Sequence, residues 1–353
     1  MASVEFQTGV NFGEGKDVLN PLFVEILDQS IRTSGFESEA QKLGFTMEDL
    51  RTPDQKYTSV VGPEPMKKVV EEENSPVTTI RTGYEKGIKP EKYALKVPVS
   101  DIFAAWVKQG AQLDRADSSV KAELDKFLSN SERLIKSDLL TRNIEMSKIY
   151  TSGFVSTSAF GPGSATPGGQ ALFSASHPTK AGTTFSNLGS SLALTDTNLA
   201  AAIEAMKLFI DDSGYRVRRP KAFTLVVPAE KELTALKLMN SASYNAGQFA
   251  GTGSNSNLMN PFFFQNHRVD VVVADLFNQK DGNGVSIGNG TNWFLLNREY
   301  LADTRALKVA NLFERKLNMW TNEDNGTTYI GIKTMFAVDH VGAEKGMWGT
   351  LGS

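Results

Sequence analysis

The spacing of apolar residues changes several times along this chain, and each change marks an element. From Arg115 to Tyr150 there is no glycine or proline, and Val120, Leu124, Phe127, Leu128, Leu134, Ile135 and Leu139 recur mostly at steps of three and four. That spacing lays one apolar stripe along a helix, and Ile144, Ile149 and Tyr150 continue it with some drift. Lys121, Asp125, Lys126, Glu132, Arg133 and Lys136 fall on the remaining surface. With Asp117 or Ser118 as N-cap, the pattern predicts a helix over 117–150, about 50 Å long. The heptad is too imperfect, and the helix too solitary, for a coiled coil.

Ahead of the helix the pattern is that of strands. Val60-Val61, Val69-Val70, Val77–Ile80 and Tyr93–Val97 are short β-prone runs. Turn chemistry separates them at Gly62-Pro63, Pro65, Asn74-Ser-Pro76 and Gly83. A strand pair with no apolar face to bury is marginal on its own. An overlong helix beside an orphan strand pair therefore implies a protein completed by its neighbours. Lys67-Lys68 and Glu71–Glu73 lie between the runs. Two readings fit them: a solvated hairpin face, or an electrostatic register against an adjacent subunit.

Residues 1–18 read as an extended polar arm. Asn20-Pro21 opens a short amphipathic helix carrying Leu22, Val24, Ile26, Leu27 and Ile31, which Ser34-Gly35 ends. Residues 36–54 are charged and read as irregular, and Asp101–Gly110 reads as a short helix. After the long helix, 151–190 is a loop-rich connector, with Gly161-Pro-Gly163 and Pro167-Gly-Gly169 marking exposed chain. A helix from Thr195 or Asp196 carries Leu199, Ile203, Met206 and Ile210, and Gly214 suits its end. A buried strand at Ala222–Pro228 leads into a helix over Glu230–Met239, followed by a loop at Ser241–Asn260. Strands at Arg268–Ala274 and Asn292–Asn297 are joined through Asp281–Gly290, which reads as a hairpin loop. Last comes a strand over Thr327–Val341, with Ile330, Ile332, Phe336 and Val338 on one face, and a short Gly/Trp tail. This is an α+β order with two structural regions.

Composition mostly excludes. A chain of 353 residues with 40% hydrophobic content has enough apolar mass for a sizeable core, in one large domain or two to three smaller ones. A net charge of −3 argues against a nucleic-acid-binding surface, which concentrates Lys and Arg. The absence of cysteine removes disulfides, thiolate catalysis and cysteine-ligated metals. No apolar run approaches the ~20 residues of a membrane span, and the N-terminus lacks a basic flank with an apolar stretch, so an intracellular soluble protein is expected.

His177, His267 and His340 stand far apart, without a carboxylate or second histidine at metal-ligand spacing. No G-x-S-x-G elbow occurs. The turn at 281–290 lacks the Lys-Ser/Thr of a phosphate loop. Asn322–Gly326 lacks the distal glutamate of a calcium loop. The expectation is no catalytic, cofactor-binding or metal residue, and no cofactor. An enzyme reading would instead need a site at the strand ends of the 190–310 region.

Five segments in order carry a resemblance. Gly83-Tyr-Glu-Lys-Gly-Ile-Lys-Pro-Glu-Lys-Tyr-Ala-Leu-Lys-Val-Pro-Val-Ser-Asp101 resembles the returning strand of the extended loop in tailed-phage major capsid proteins, where it leads into a long spine helix. Gln170-Ala-Leu-Phe-Ser-Ala-Ser-His-Pro178, the helix from Asp196, Leu225-Val-Val-Pro228 and Trp293-Phe-Leu-Leu296 resemble the major head subunit of Mu-like phages. The likeness spans roughly 55–345.

It implies the Hong Kong 97-type α+β capsid fold, with an N-terminal arm (1–54), extended loop (55–100), spine helix and connector of the peripheral domain (101–190), axial domain (191–312), and a C-terminal strand returning to the peripheral domain (313–353). It also implies a structural protein without catalysis. Its partners would be copies of itself in pentamers and hexamers, with scaffolding, portal and decoration proteins around them. The shell would enclose double-stranded DNA without sequence-specific binding or membrane contact, in the virion and, during assembly, the host cytoplasm. A nanocompartment shell of encapsulin type is the nearest alternative, and an α/β enzyme a more distant one.

Overall fold

The computed structural model describes residues 35–61, 68, 81–99, 118–156, 165–217, 220–240, 243–245, 257–259, 268–321 and 327–352. The expected helices around Leu22–Ile31 and Asp101–Gly110, and the runs at Val69-Val70 and Val77–Ile80, lie outside them. So do His267, Asn322–Gly326, Gly161–Gly163 and most of Ser241–Asn260.

In chain order the elements are α1 (Phe36–Lys42), β1 (Phe45–Asp49), β2 (Gln55–Val61), β3 (Arg81–Ile88), β4 (Glu91–Val99), α2 (Ser118–Thr151), the two-residue strands β5 (His177–Pro178), β6 (Thr184–Phe185) and β7 (Leu188–Gly189), then α3 (Asp196–Met206) and β8 (Ala222–Pro228). They continue with α4 (Glu232–Asn240), β9 (Ser243–Asn245), β10 (Asn257–Met259), β11 (Arg268–Ala274), β12 (Trp293–Asn297), α5 (Arg298–Thr304), β13 (Leu307–Thr321), β14 (Thr328–His340) and β15 (Met347–Thr350). Among the described residues two larger sheets form, ordered β1-β13-β14-β4 and β11-β8-β12-β15-β7.

The long helix is 34 residues, matching its sequence pattern. Glu132, Arg133 and Lys136 are exposed, while Leu134, Ile135 and Leu139 are buried. Its C-terminal half sits between the two sheets. Leu134, Ile135, Leu139, Met146, Ile149 and Tyr150 share one core with Ile330, Ile332 and Phe336 of β14 and with Val226, Phe294 and Leu296 of the five-stranded sheet. Tyr150 is fully buried, with the rings of Phe45, Phe277 and Phe294 at 6.1, 6.0 and 5.2 Å, and its hydroxyl donates to the Leu43 carbonyl.

Polar positions on the same helix face also go inside. Arg142, 3% exposed, donates from Nε to Asp138 Oδ2 (3.1 Å), from Nη1 to Asn311 Oδ1 (2.7 Å) and from Nη2 to Thr334 Oγ1 (2.8 Å). Its guanidinium lies 4.2 Å from the centroid of the Phe336 ring. Arg315 of β13 also reaches Asp138 Oδ2. The arginine thus joins helix, β13 and β14 with its donors satisfied, which makes its burial tolerable.

A second core gathers Leu199, Ile203 and Met206 of α3, Leu238 of α4, and Phe223, Leu225, Trp293 and Trp348. Thr195 caps α3, its side chain accepting from Asn198 N at 3.2 Å. The strands expected near 222–228, 268–274, 292–297 and 327–341 form, and Ile330, Ile332, Phe336 and Val338 are all buried.

Several expectations are corrected. Residues 36–54 are not irregular: α1 buries Phe36 and Ala40, and β1 pairs in parallel with the start of β13. Their apolar residues are sparse because a short helix and an edge strand each need only one or two anchors. The 281–290 turn does not join a hairpin, since β11 and β12 both pair with β8, one parallel and one antiparallel. The Asp281-Gly282 signal acts only locally, closing a small turn bridged by Lys280 and Ser286. Helix α3 ends at Met206, well short of Gly214, whose φ of +84° serves the following turn instead.

The Gly/Trp tail is not a tail but β15, buried inside the five-stranded sheet. Gly349 fits there because a Cβ would come within 3 Å of Phe173 and Phe294. The connector is buried rather than exposed at Leu172, Phe173, His177 and Asn187. Strand β13 was not anticipated: register shifts between Asn311 and Lys316 break its alternation, and residue 312 lies within it.

Replacing Arg142 with Met should cost about 3–5 kcal/mol, because the buried Asp138 loses a charged partner. Urea denaturation measures this, and a loss under about 1 kcal/mol would refute the joining role.

Candidate functional site

His177 and His340, the histidines among the described residues, take different partners. His177 is buried with Nε2 2.9 Å from Asn187 Oδ1, its ring stacked on Phe185 at 5.1 Å. Asn187 organises this stretch of connector, accepting from Ser174 N and donating to the carbonyls of Leu172 and Glu344. Burial lowers the His177 pKa, opposed by Glu344 and the hydrogen bond to Asn187. His340 packs instead against Lys86, whose Nζ lies 3.4 Å from Nε2.

The glycine-rich turn spends its polar groups on itself. Asp281 Oδ1 accepts from Asn283 N and Val285 N at 2.9 Å, and Oδ2 pairs with Lys148 at 3.1 Å. Among the described residues no three of His, Cys, Asp and Glu are placed to hold a metal ion. A cavity of about 570 Å³ lies along β11, lined by Leu43, Leu140, Asn143, Asp270, Val272 and Arg298. Asp270 pairs there with Arg298 at 3.4 Å. Ser147, also in its wall, donates its hydroxyl to the Asn143 carbonyl, and no histidine among the described residues lines it.

The unusual geometry lies elsewhere, in the ribbon of β2 and β3. These strands pair antiparallel from Gln55↔Ile88 to Val61↔Arg81, with a register shift between Thr58 and Val60. They pair with no other strand among the described residues. Lys56, Thr58, Thr82 and Glu85 are exposed, and Lys56 pairs with Glu85 across the strands at 2.8 Å.

The root, by contrast, is bolted down. Ile88 is fully buried with Leu50, Ala310 and Ala337. Lys86 Nζ sits 2.7 Å from Asp339 Oδ1, with side chains 4% and 0% exposed. Burial drives the Lys86 pKa down, and Asp339 opposes that shift. Tyr57 donates to Glu48 Oε1 at 3.0 Å, while Lys308 pairs with Glu48 and lies 4.4 Å over the Tyr57 ring. Past the root, β4 joins the four-stranded sheet through nine register pairs with β14.

The arrangement is a two-stranded arm with a fixed direction and a polar length. It is suited to contact rather than to bond-making chemistry. Sequence reasoning expected a strand pair in this region but read Gly83, which lies inside β3, as a turn, and missed Lys86, Asp339 and His340. The available signal was a charged Asp-His pair closing a strand whose alternate positions are apolar.

A family model described as phage capsid protein matches residues 152–342, more than half of the chain. No curated protein matches it. Among solved structures, the chain is similar to the capsid of cyanophage P-SCSP1u, at 13% identity over 88% of this chain and 86% of that chain, with a TM-score of 0.43. It is similar to the head of Helicobacter pylori bacteriophage KHP40, at 9% identity over 88% and 87%, TM-score 0.46. A phage-related protein from Bordetella bronchiseptica RB50 aligns at 10% identity over 93% and 96%, TM-score 0.46.

Two outcomes follow from the geometry. Lys86→Met should cost about 3–5 kcal/mol by stranding a buried carboxylate, and should raise amide exchange in 55–61 and 81–88. Lys86→Met with Asp339→Asn should recover much of that loss, and equal stability of the single variant and the parent would refute the bolt. For His177, the lowered pKa means the unfolded chain takes up its proton first as pH falls. Its contribution is complete above the ordinary value of 6.5 and declines below it. Thermal melts from about pH 7.5 to about pH 5 should therefore show a shallower decline in His177→Gln, and identical slopes would contradict this.

Proposed function

This chain belongs to the phage capsid protein family, and from that membership we propose a major head subunit that closes an icosahedral shell from pentamers and hexamers around double-stranded DNA. The shell protein is structural, and its α+β architecture is consistent with the Hong Kong 97-type fold. In the proposal the subunit acts without catalysis, resides in the virion after assembly in the host cytoplasm, and meets scaffolding, portal and decoration proteins. In the proposal it resembles the major head subunits of Mu-like phages.

The observation that carries this reading is the ribbon. A chain has little use for a buried ion pair that aims a polar arm into solvent unless something meets that arm. In the proposed assembly, β2 and β3 with the residues between them form the extended loop over a neighbour, and α2 is the spine. The sheet of β1, β13, β14 and β4 is the peripheral platform, to which 36–49 and 91–99 contribute. The five-stranded sheet with α3 and α4 forms the axial region, with β15 included in it. Shell strength then comes from many modest interfaces, each worth about 25 cal/mol per Å² of apolar area before association costs are subtracted.

Electron microscopy of the purified chain under assembly conditions should show closed shells of uniform diameter. Monomers or small symmetric oligomers under every condition would sink the reading. Replacing residues 62–80 with a short glycine-containing turn keeps the root intact, so the subunit should fold but form no stable shells. Normal shells from that variant would remove the loop from the mechanism.

A further inference from the structure

The face of the four-stranded sheet turned away from α2 carries an aromatic and basic patch that stays accessible among the described residues. Along β14, Ile330, Ile332, Thr334 and Phe336 point into the core, so Tyr329, Gly331, Lys333 and Met335 occupy the other face. On β4 the matching positions are Lys92, Ala94, Lys96 and Pro98. Trp320 of β13 is paired with Tyr329 and stacks on it, with ring centroids 6.1 Å apart. Gly331 makes room, because a Cβ there would meet the Trp320 ring at 2.7 Å. Lys96 Nζ lies 4.5 Å from the Tyr329 ring centroid and Lys333 Nζ 5.6 Å from that of Trp320. Lys92 and Lys96 are exposed, and Trp320, Tyr329, Lys333 and Met335 are half-exposed. None of the eight outward positions on β4 and β14 is a carboxylate. Aromatic faces beside exposed lysines suit an extended segment that offers apolar side chains and then carboxylates.

The chain itself holds such a segment. Val69-Val70-Glu71-Glu72-Glu73 lies midway between the end of β2 and the start of β3. We propose that this run from a second copy docks on the patch, the valines over Trp320 and Tyr329 and the glutamates against Lys92, Lys96 and Lys333. A second copy is the fitting partner because about 20 Å of paired strand carries the run away from its own root. This rests on the shell reading and names the surface that receives the loop. Lys67-Lys68 precede the run, so the acidic charge is concentrated on its C-terminal half.

The test uses the full chain. E71K/E72K/E73K and K92E/K96E/K333E should each abolish shells seen by electron microscopy, and the six-fold combination should restore them. In shells grown from mixed isotope-labelled and unlabelled chains, carbodiimide should join Glu71–Glu73 to these lysines in mixed-label pairs, less so at high salt. Normal shells from either triple variant, no restoration in the combination, or same-label crosslinks alone would overturn the docking while leaving the shell reading intact. A parent chain that forms no shells would overturn both.

Discussion

Everything in this subunit depends on burying one end of a very long helix where two sheets meet. A 34-residue helix has far more surface than a single sheet can cover, and its C-terminal half packs against both sheets. Tyr150 sits among rings supplied by β1, β12 and the loop after β11, so the two sheets are held through one side chain. Arg142, two turns earlier, adds direction to that apolar contact. Apolar burial alone is non-directional. A guanidinium with fixed donors to Asp138, Asn311 and Thr334 sets the rotation of the helix and its register on β13 and β14.

That platform explains how the ribbon can project. β13 and β14 are held by the helix on one face, which lets β14 offer Asp339 and His340 at its end as a firm seat for Lys86. A buried ion pair adds little net stability compared with an apolar pair, but it penalises every arrangement that separates the charges. It therefore specifies where the arm starts. Beyond that point Thr58, Thr82 and Glu85 are exposed, which is consistent with a part finished by a neighbour.

The elements that could be read in advance were those whose burial is one-sided and regular. The stripe from Leu134 to Tyr150 and the run Ile330 through Val338 each repeat a period over enough residues to be recognised, and Thr195 is legible as a capping residue type at a helix start. Short or irregular elements were not legible. β1 and α1 are anchored by Phe45, Phe36 and Ala40, too few to show a period. β13 loses its alternation at its register shifts, and Lys308 is buried in it among Leu307, Val309 and Ala310. β15 reads as a glycine-rich tail because Gly349 leaves space for Phe173 and Phe294 rather than filling it.

By itself, the sequence determined the long helix, the strands β8, β11, β12 and β14, the lack of cysteine chemistry and, through five ordered segments, a family resemblance. These are local or compositional properties, set by periodicity and residue type within a short window. Only the tertiary structure decided that β8 lies between β11 and β12, that the last strand inserts beside β12, and that Lys86 meets Asp339 across more than two hundred residues of chain. Strand order and ion pairing depend on which surfaces remain uncovered once the core has closed. No single segment carries that information.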